Sequence, residues 1–192
     1  HKMSESNPTL HREQIAGMNI HYIMWSLDYF LDAQQRLGFK TIELWAAEPH
    51  VTLDHTGYFE ADELRRKIES RGLSVSSLCP ENVVYPWQYA ARKPLHAQRS
   101  LAYFKHGIEL AEVLGAPYMS INSGWGDWDE DREEAWKRSA EHLAILADYA
   151  GEHGVTLCME SLRPEESNLV VTLADARRML DQVASPHLTP MV

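Results

Sequence analysis

The residues best placed to do chemistry fall in one stretch, residues 155–168 (VTLCMESLRPEESN), where an apolar run stops abruptly in carboxylates. Glu160 closes that run, and Glu166 follows on the far side of Pro164. A carboxylate at the end of an apolar segment is costly to desolvate unless a cation or hydrogen-bond donors meet it, so Glu160 is a candidate metal ligand or acid/base. Glu166 is near enough in the chain to fold back over the same mouth. A structural reading stands beside this one: Glu160 paired with an Arg or Lys inside the fold, and Glu166 solvated.

Gly154 and Pro164 bracket Val155, Leu157 and Met159 as a short buried strand, with Glu160 its last residue. The same strand-then-helix unit recurs along the chain. Residues 18–24 read as the first strand, with His21 packed inside it. Ser26 then caps a helix whose Leu27, Phe30, Leu31 and Leu37 point inward until Gly38 stops it. A strand at 41–45 precedes a polar helix at 61–71 with Leu64 and Ile68 inward. A strand at 73–79 runs into a long loop carrying Glu81, Asn82, Tyr85, Pro86 and Trp87. Leu101, Phe104, Ile108, Ala111 and Leu114 form one helical stripe ending at Gly115. A strand at 117–122 and a Gly/Trp-rich turn lead to a helix over 130–153 with Trp136, Ala140, Leu143, Ala147 and Ala150 on one face. After the Glu160 strand, Thr172 opens a helix with Leu173, Ala176, Leu180 and Val183 inward, and a sixth strand begins at Leu188.

Strands alternating with amphipathic helices mean an α/β fold with a parallel sheet, either an open doubly wound sheet or a (β/α)₈ TIM barrel. No strand is followed by Gly-x-Gly-x-x-Gly, which weakens the dinucleotide-binding open sheet. Polar and aromatic residues follow every strand, where a barrel builds its active site: Trp25, Glu43 and Trp45, Glu81, Asn122 and Trp125, and Glu160. A complete barrel takes about 250 residues, so 192 residues hold roughly five and a half of its eight βα units. The expectation is a tag remnant or flexible tail over 1–16 and the N-terminal part of a barrel over 17–192, with the remainder absent from this sequence.

A chain that is 44% hydrophobic and 24% charged can build a substantial core. Its net charge of −10 argues against a nucleic-acid partner, which would call for a basic face. A small neutral or cationic molecule is the easier ligand. Cys79 and Cys158 lie in apolar runs and read as buried free thiols, which points to a reducing cytoplasm. No apolar run reaches membrane-spanning length.

Taken in order, Glu43-Leu-Trp45 with Pro49-His50, Pro80-Glu81 with Tyr85-Pro86, Met159-Glu160 with Glu166-Ser-Asn168, and Ser185-Pro186 leading to Pro190 resemble the xylose-isomerase-like barrels of the sugar phosphate isomerase/epimerase superfamily. Within it the chain looks most like fructoselysine 3-epimerase and the ketose 3-epimerases. The resemblance implies a divalent metal, Mn²⁺ or Mg²⁺, held by Glu, Asp, His and Glu from four strand ends, of which only Glu160 has a counterpart here. It implies a ketose or fructoselysine-like substrate and proton transfer through an enediolate, with Glu160 as ligand and acid/base and Glu166 orienting substrate hydroxyls. Barrels of this superfamily commonly pair, so a homo-oligomer is an expectation.

Glu43 and Glu81 either bind substrate or tie down loops; His50 either lines the pocket or is solvated; Trp25, Trp45, Trp87 and Trp125 either stack on a sugar or pack in the core. The expected site has Glu160 as catalytic and metal residue, with Glu166, Glu43, His50, Glu81 and Trp125 as substrate contacts. Three expectations follow. Glu43, Glu81, Asn122 and Glu160 should face one cavity, Glu166 should reach the Glu160 mouth, and a species ending at Val192 should hold no ordered metal. Competing functions are an apurinic-endonuclease-type phosphodiesterase on the same barrel, or a non-catalytic sugar-binding fragment.

Overall fold

The computed structural model describes residues 10–83 and 87–191. The expected tail over residues 1–9, together with Tyr85, Pro86 and Val192, lies outside the described residues. Residues 10–16 include a 3₁₀ turn, Arg12–Gln14, tied down by Arg12 Nη1 donating to the Leu37 carbonyl at 2.8 Å.

The strands are β1 (Gly17–Met18), β2 (Thr41–Ala46), β3 (Leu53–Asp54), β4 (Gly57–Tyr58), β5 (Ser74–Pro80), β6 (Tyr118–Ile121), β7 (Thr156–Met159) and β8 (Leu188–Pro190). The helices are α1 (Leu27–Arg36), α2 (Ala61–Glu69), α3 (Pro94–Val113), α4 (Arg132–Glu152) and α5 (Leu173–Val183). Six strands form one sheet in the order β1-β2-β5-β6-β7-β8, and every pair is parallel. An unbroken sequential order is the barrel pattern, because a doubly wound sheet reverses direction partway across. β3 and β4 form a small antiparallel hairpin in the β2–α2 connection. Its turn is held by Asp54 Oδ1, which accepts from the amides of Thr56 and Gly57.

Strand alternation sorts side chains to two faces. Ile42, Leu44, Ala46, Leu78, Met119, Ile121, Leu157 and Met159 are fully or almost fully buried beneath the helices. The helices meet them with Phe30 and Leu31, Leu64 and Ile68, Phe104 and Ile108, and Trp136 and Leu143, all buried. The other face carries Glu43, Ser77, Cys79, Thr156 and Cys158, half-buried and polar or polarizable. The two cysteines are therefore free thiols on that face rather than core residues. Caps set the helix starts: Ser26 Oγ accepts from the Tyr29 amide, Asp131 Oδ1 from Glu133, and Thr172 with Asp175 makes a reciprocal capping box.

Several expectations need correction. The first strand is two residues long, and Asn19–Tyr22 is a 3₁₀ turn with His21 exposed. The cause is Asn19, whose side-chain amide takes over the ladder. Its Oδ1 accepts from Trp45 N at 2.7 Å and its Nδ2 donates to Trp45 O at 3.0 Å, so the backbone is free to turn. Leu37 and Leu173, read as inward, are 54% and 64% exposed. The first caps the end of α1 and the second opens α5, so both sit at helix ends.

Candidate active site

The C-terminal ends of the parallel strands bring Glu43, Glu81 and Glu160 to one region, since all three carboxylates act on the Cys79 thiol. Burial first, and then these negative charges, push that thiol up to about 12. Glu43 lies on β2 and Glu160 directly follows β7; the Glu160 amide donates to Ile121 O at 2.8 Å, which extends the β6–β7 ladder by one step. Burial raises the Glu43 carboxyl above the usual range, and the Glu160 charge raises it further. Burial likewise raises Glu160, with Glu166 adding repulsion. Glu43, Glu160 and Glu166 thus form a line of carboxylates, each felt by the next. No Arg or Lys side chain pairs with Glu160 or Glu43 among the described residues, unlike the interior ion pair weighed from the sequence.

Glu166 reaches the mouth from the turn after Pro164 and takes a hydrogen bond from Arg163 Nη2 at 2.8 Å. That arginine is 70% exposed, so the pair is a screened one that a substrate hydroxyl can displace. Glu166 lines an open cleft of about 730 Å³ together with Val83, Trp125, Gly126 and Asn168. Asn168 fixes that cleft by clamping Gly126, accepting from its amide and donating to its carbonyl, both at 2.8 Å.

Trp125 is held by its backbone. Gln88 Oε1 accepts from its amide and Gln88 Nε2 donates to its carbonyl. The chain can make this approach because Gly124 sits at φ +67, where a Cβ would stand 2.4 Å from Gln88 Oε1. Glu81 takes the Trp45 indole N–H at 3.1 Å on one oxygen and the Val83 amide at 3.1 Å on the other, so it braces the mouth. Asn122 is buried and occupied by Asn82 and the Gly124 amide. His50 is engaged at both nitrogens, with Asn19 Nδ2 at 2.9 Å and Trp25 O at 2.8 Å. It lines a separate small cleft beside α2 and is not brought to the carboxylates. Of Trp25, Trp45, Trp87 and Trp125, only Trp125 lines the Glu166 cleft, where Trp128 joins it. Trp25 stacks on Tyr29 at 4.7 Å, Trp87 on Tyr103 at 4.0 Å, and Trp45 is buried.

Sequence reasoning missed Asn19, Gln88 and Ser167 as builders of this end of the sheet. Ser167 donates to Gly124 O at 2.7 Å and caps the Leu169 amide.

A divalent ion calls for several ligands, and among the described residues no three His, Cys, Asp or Glu side chains are grouped to hold one. Glu160 by itself does not make a metal site.

A sequence profile described as the xylose isomerase-like TIM barrel matches residues 31–192. A fructoselysine 3-epimerase of Shigella flexneri is 29% identical over 163 residues, which is 85% of this chain and 59% of that protein. A solved L-ribulose 3-epimerase superposes with a TM-score of 0.72 at 24% identity, over 85% of this chain and 53% of its own. A solved 3-keto-D-glucoside 4-epimerase from E. coli superposes at 0.74 with 17% identity, over 91% and 66%. At such identities the two structures bear on the fold alone. The chain spans 59% of the length of the curated relative it matches. With a profile match over most of its length, six parallel strands in barrel order and its polar residues gathered at their C-terminal ends, the chain belongs to the xylose isomerase-like TIM barrel family.

Proposed function

We propose that the protein to which this chain contributes the N-terminal part of a barrel, residues 17–192, is a sugar epimerase or isomerase acting on a ketose or ketose derivative. The observation that carries this reading is the line of carboxylates Glu43, Glu160 and Glu166 at the mouth, with no basic side chain among the described residues neutralising Glu43 or Glu160. The similarity to fructoselysine 3-epimerase supports it and favours it over the phosphodiesterase alternative.

The chemistry in question moves a proton on and off a carbon beside a carbonyl, through an enediolate. A half-buried carboxylate with no Arg or Lys fixed against it among the described residues can take that proton. Glu160 fills that role in this reading. Glu166 accepts hydrogen bonds from substrate hydroxyls once Arg163 is displaced, and Trp125 offers an apolar wall to the sugar ring. Glu43 and Glu81 hold the opposite side of the mouth, and His50 positions the loop behind Trp25. The reading includes Mn²⁺ or Mg²⁺ in the full-length protein, with Glu160 as the ligand this chain supplies, and a cytoplasmic location.

The test is exchange of the C3 proton of ketoses in D₂O, followed by NMR on the full-length protein. Glu160→Gln is expected to reduce exchange at least about a hundredfold while leaving thermal unfolding unchanged. Wild-type protein that exchanges no ketose or ketosamine proton, or a Glu160→Gln variant that retains full exchange, would refute the reading.

A further inference from the structure

One cavity has the opposite electrostatic character to the carboxylate mouth. A space of about 410 Å³ at the start of α3 is lined by Arg92, Lys93, His96 and Arg99, with Trp125 as one wall. In a chain of net charge −10 this is a local reversal of sign. Two acidic residues also line it. Both oxygens of Glu130 are taken by Arg138 Nη2 at 2.7 Å, and Arg92 is shared between Asp127 at 3.6 Å and Asp129 and Glu130 at 3.8 Å, which leaves Lys93 and Arg99 as the lining cations without a carboxylate partner among the described residues. Arg99 lines the cavity, and its Nε is closed to solvent with no hydrogen-bond partner among the described residues. An anion entering the cavity therefore meets this guanidinium through its Nη groups, which no carboxylate neutralises among the described residues.

We propose that this cavity is an anion subsite that takes a phosphate or carboxylate group, with Arg99 and Lys93 as its main contacts. A guanidinium offers paired donors matched to such groups, and Lys93 adds a mobile point charge. The cavity shares Trp125 and Asp127 with the cleft that contains Glu166. One ligand can therefore occupy both, its anionic end beside Arg99 and its polyol end at the mouth. That extension, a ketose carrying an anionic group at the end remote from the reacting carbon, rests on the function proposed above. Anion binding itself does not.

The chain is titrated with inorganic phosphate at fixed ionic strength, followed by calorimetry and by tryptophan emission. Saturable binding at one site is expected, weakened roughly tenfold or more in Arg99→Gln, as suits the loss of a charge-assisted hydrogen bond. Lys93→Ala, at an exposed position, should weaken it several-fold and covers the case in which Arg99→Gln does not fold. Lys137→Ala, exposed on α4, serves as the control and should leave it unchanged. Absence of saturable binding by folded wild type, or binding that Arg99→Gln and Lys93→Ala both leave intact, overturns the proposal. In the full-length protein, the ratio of KM for a ketose phosphate to KM for the unphosphorylated ketose should rise roughly tenfold in Arg99→Gln if the anion belongs to the substrate. An unchanged ratio with phosphate binding lost assigns the subsite to a free anion instead. Phosphate binding in a protein without any epimerase activity removes the function proposed for Glu160 and leaves the subsite standing.

Discussion

Asn19 is the most informative residue to perturb, because a single buried side chain joins β1 to β2 and β2 to the loop behind it. Its amide makes three hydrogen bonds: from Trp45 N at 2.7 Å, to Trp45 O at 3.0 Å and with His50 Nδ1 at 2.9 Å. Asn19→Ala removes all three and strands the Trp45 amide and carbonyl in a buried place. At about 0.5–1 kcal/mol for each bond, with an added cost for the orphaned backbone groups, the loss should come to about 2–4 kcal/mol. For a chain of this size that corresponds to a fall in Tm of roughly 5–15 °C. Asn19→Asp keeps the acceptor for Trp45 N but buries a carboxylate with its second oxygen against the Trp45 carbonyl, so at neutral pH it should cost at least as much as Asn19→Ala. Urea unfolding followed by circular dichroism measures the stability. Trp45 emission reports the local effect, because its indole is fixed on Glu81 at 3.1 Å. A loss below about 1 kcal/mol, with Trp45 emission unmoved, would refute the claim that this side chain continues the strand ladder.

Glu166→Gln in the full-length protein should lower turnover of a ketose while leaving metal affinity largely intact, and loss of metal with unchanged turnover in the loaded form would contradict the role. Mn²⁺ titration of residues 1–192 by calorimetry should reveal no micromolar site, because the described residues group no three ligands. Gly124→Ala should destabilise by about 1–3 kcal/mol, since its φ of +67 disfavours a side chain and the new Cβ would meet Gln88 Oε1; tryptophan emission should report the loosened Trp125. Burial would raise the Asp175 carboxyl, but hydrogen bonds from the Thr172 hydroxyl, the Val171 and Thr172 amides, and the Arg132 charge outweigh it and leave it low. A carboxyl lowered on folding stabilises above its unfolded value near about 4 and ceases to do so as pH falls through its folded value. The difference in urea midpoint between wild type and Asp175→Asn should therefore be present at neutral pH and shrink below about pH 4.

The alternation of strands with helices, and the five helices of the described residues, were legible because their signals are local. Helical stripes such as Phe104, Ile108 and Ala111, and short apolar runs such as Val155 to Met159, carry their own periodicity. What was not legible depends on residues distant in the chain. Asn19 ends β1 early only because Trp45, 26 residues away, offers a free amide and carbonyl. His50 was read as a possible pocket residue, yet its partners are the same Asn19 and the Trp25 carbonyl. The hairpin Leu53–Tyr58 rests on a single aspartate folding its own loop, a signal too short to stand out. At the mouth, a carboxylate after an apolar run marked Glu160. The direction each tryptophan faces was set by partners such as Gln88 and Tyr103, which periodicity does not reveal.

The sequential strand order also bears on how the molecule comes into being during synthesis. Each inner strand of the six-stranded sheet pairs with the sheet strands made before and after it, so β1 alone waits for a late strand, the one that closes a barrel. Loop closure between neighbours is entropically cheap compared with long-range pairing, and each new βα unit can dock as it leaves the ribosome. The growing edge at any moment is the last strand laid down, a row of unpaired amides and carbonyls that templates the next one. Pauses in translation between units would extend the lifetime of that open edge, and with it the time in which a second nascent chain could pair there instead.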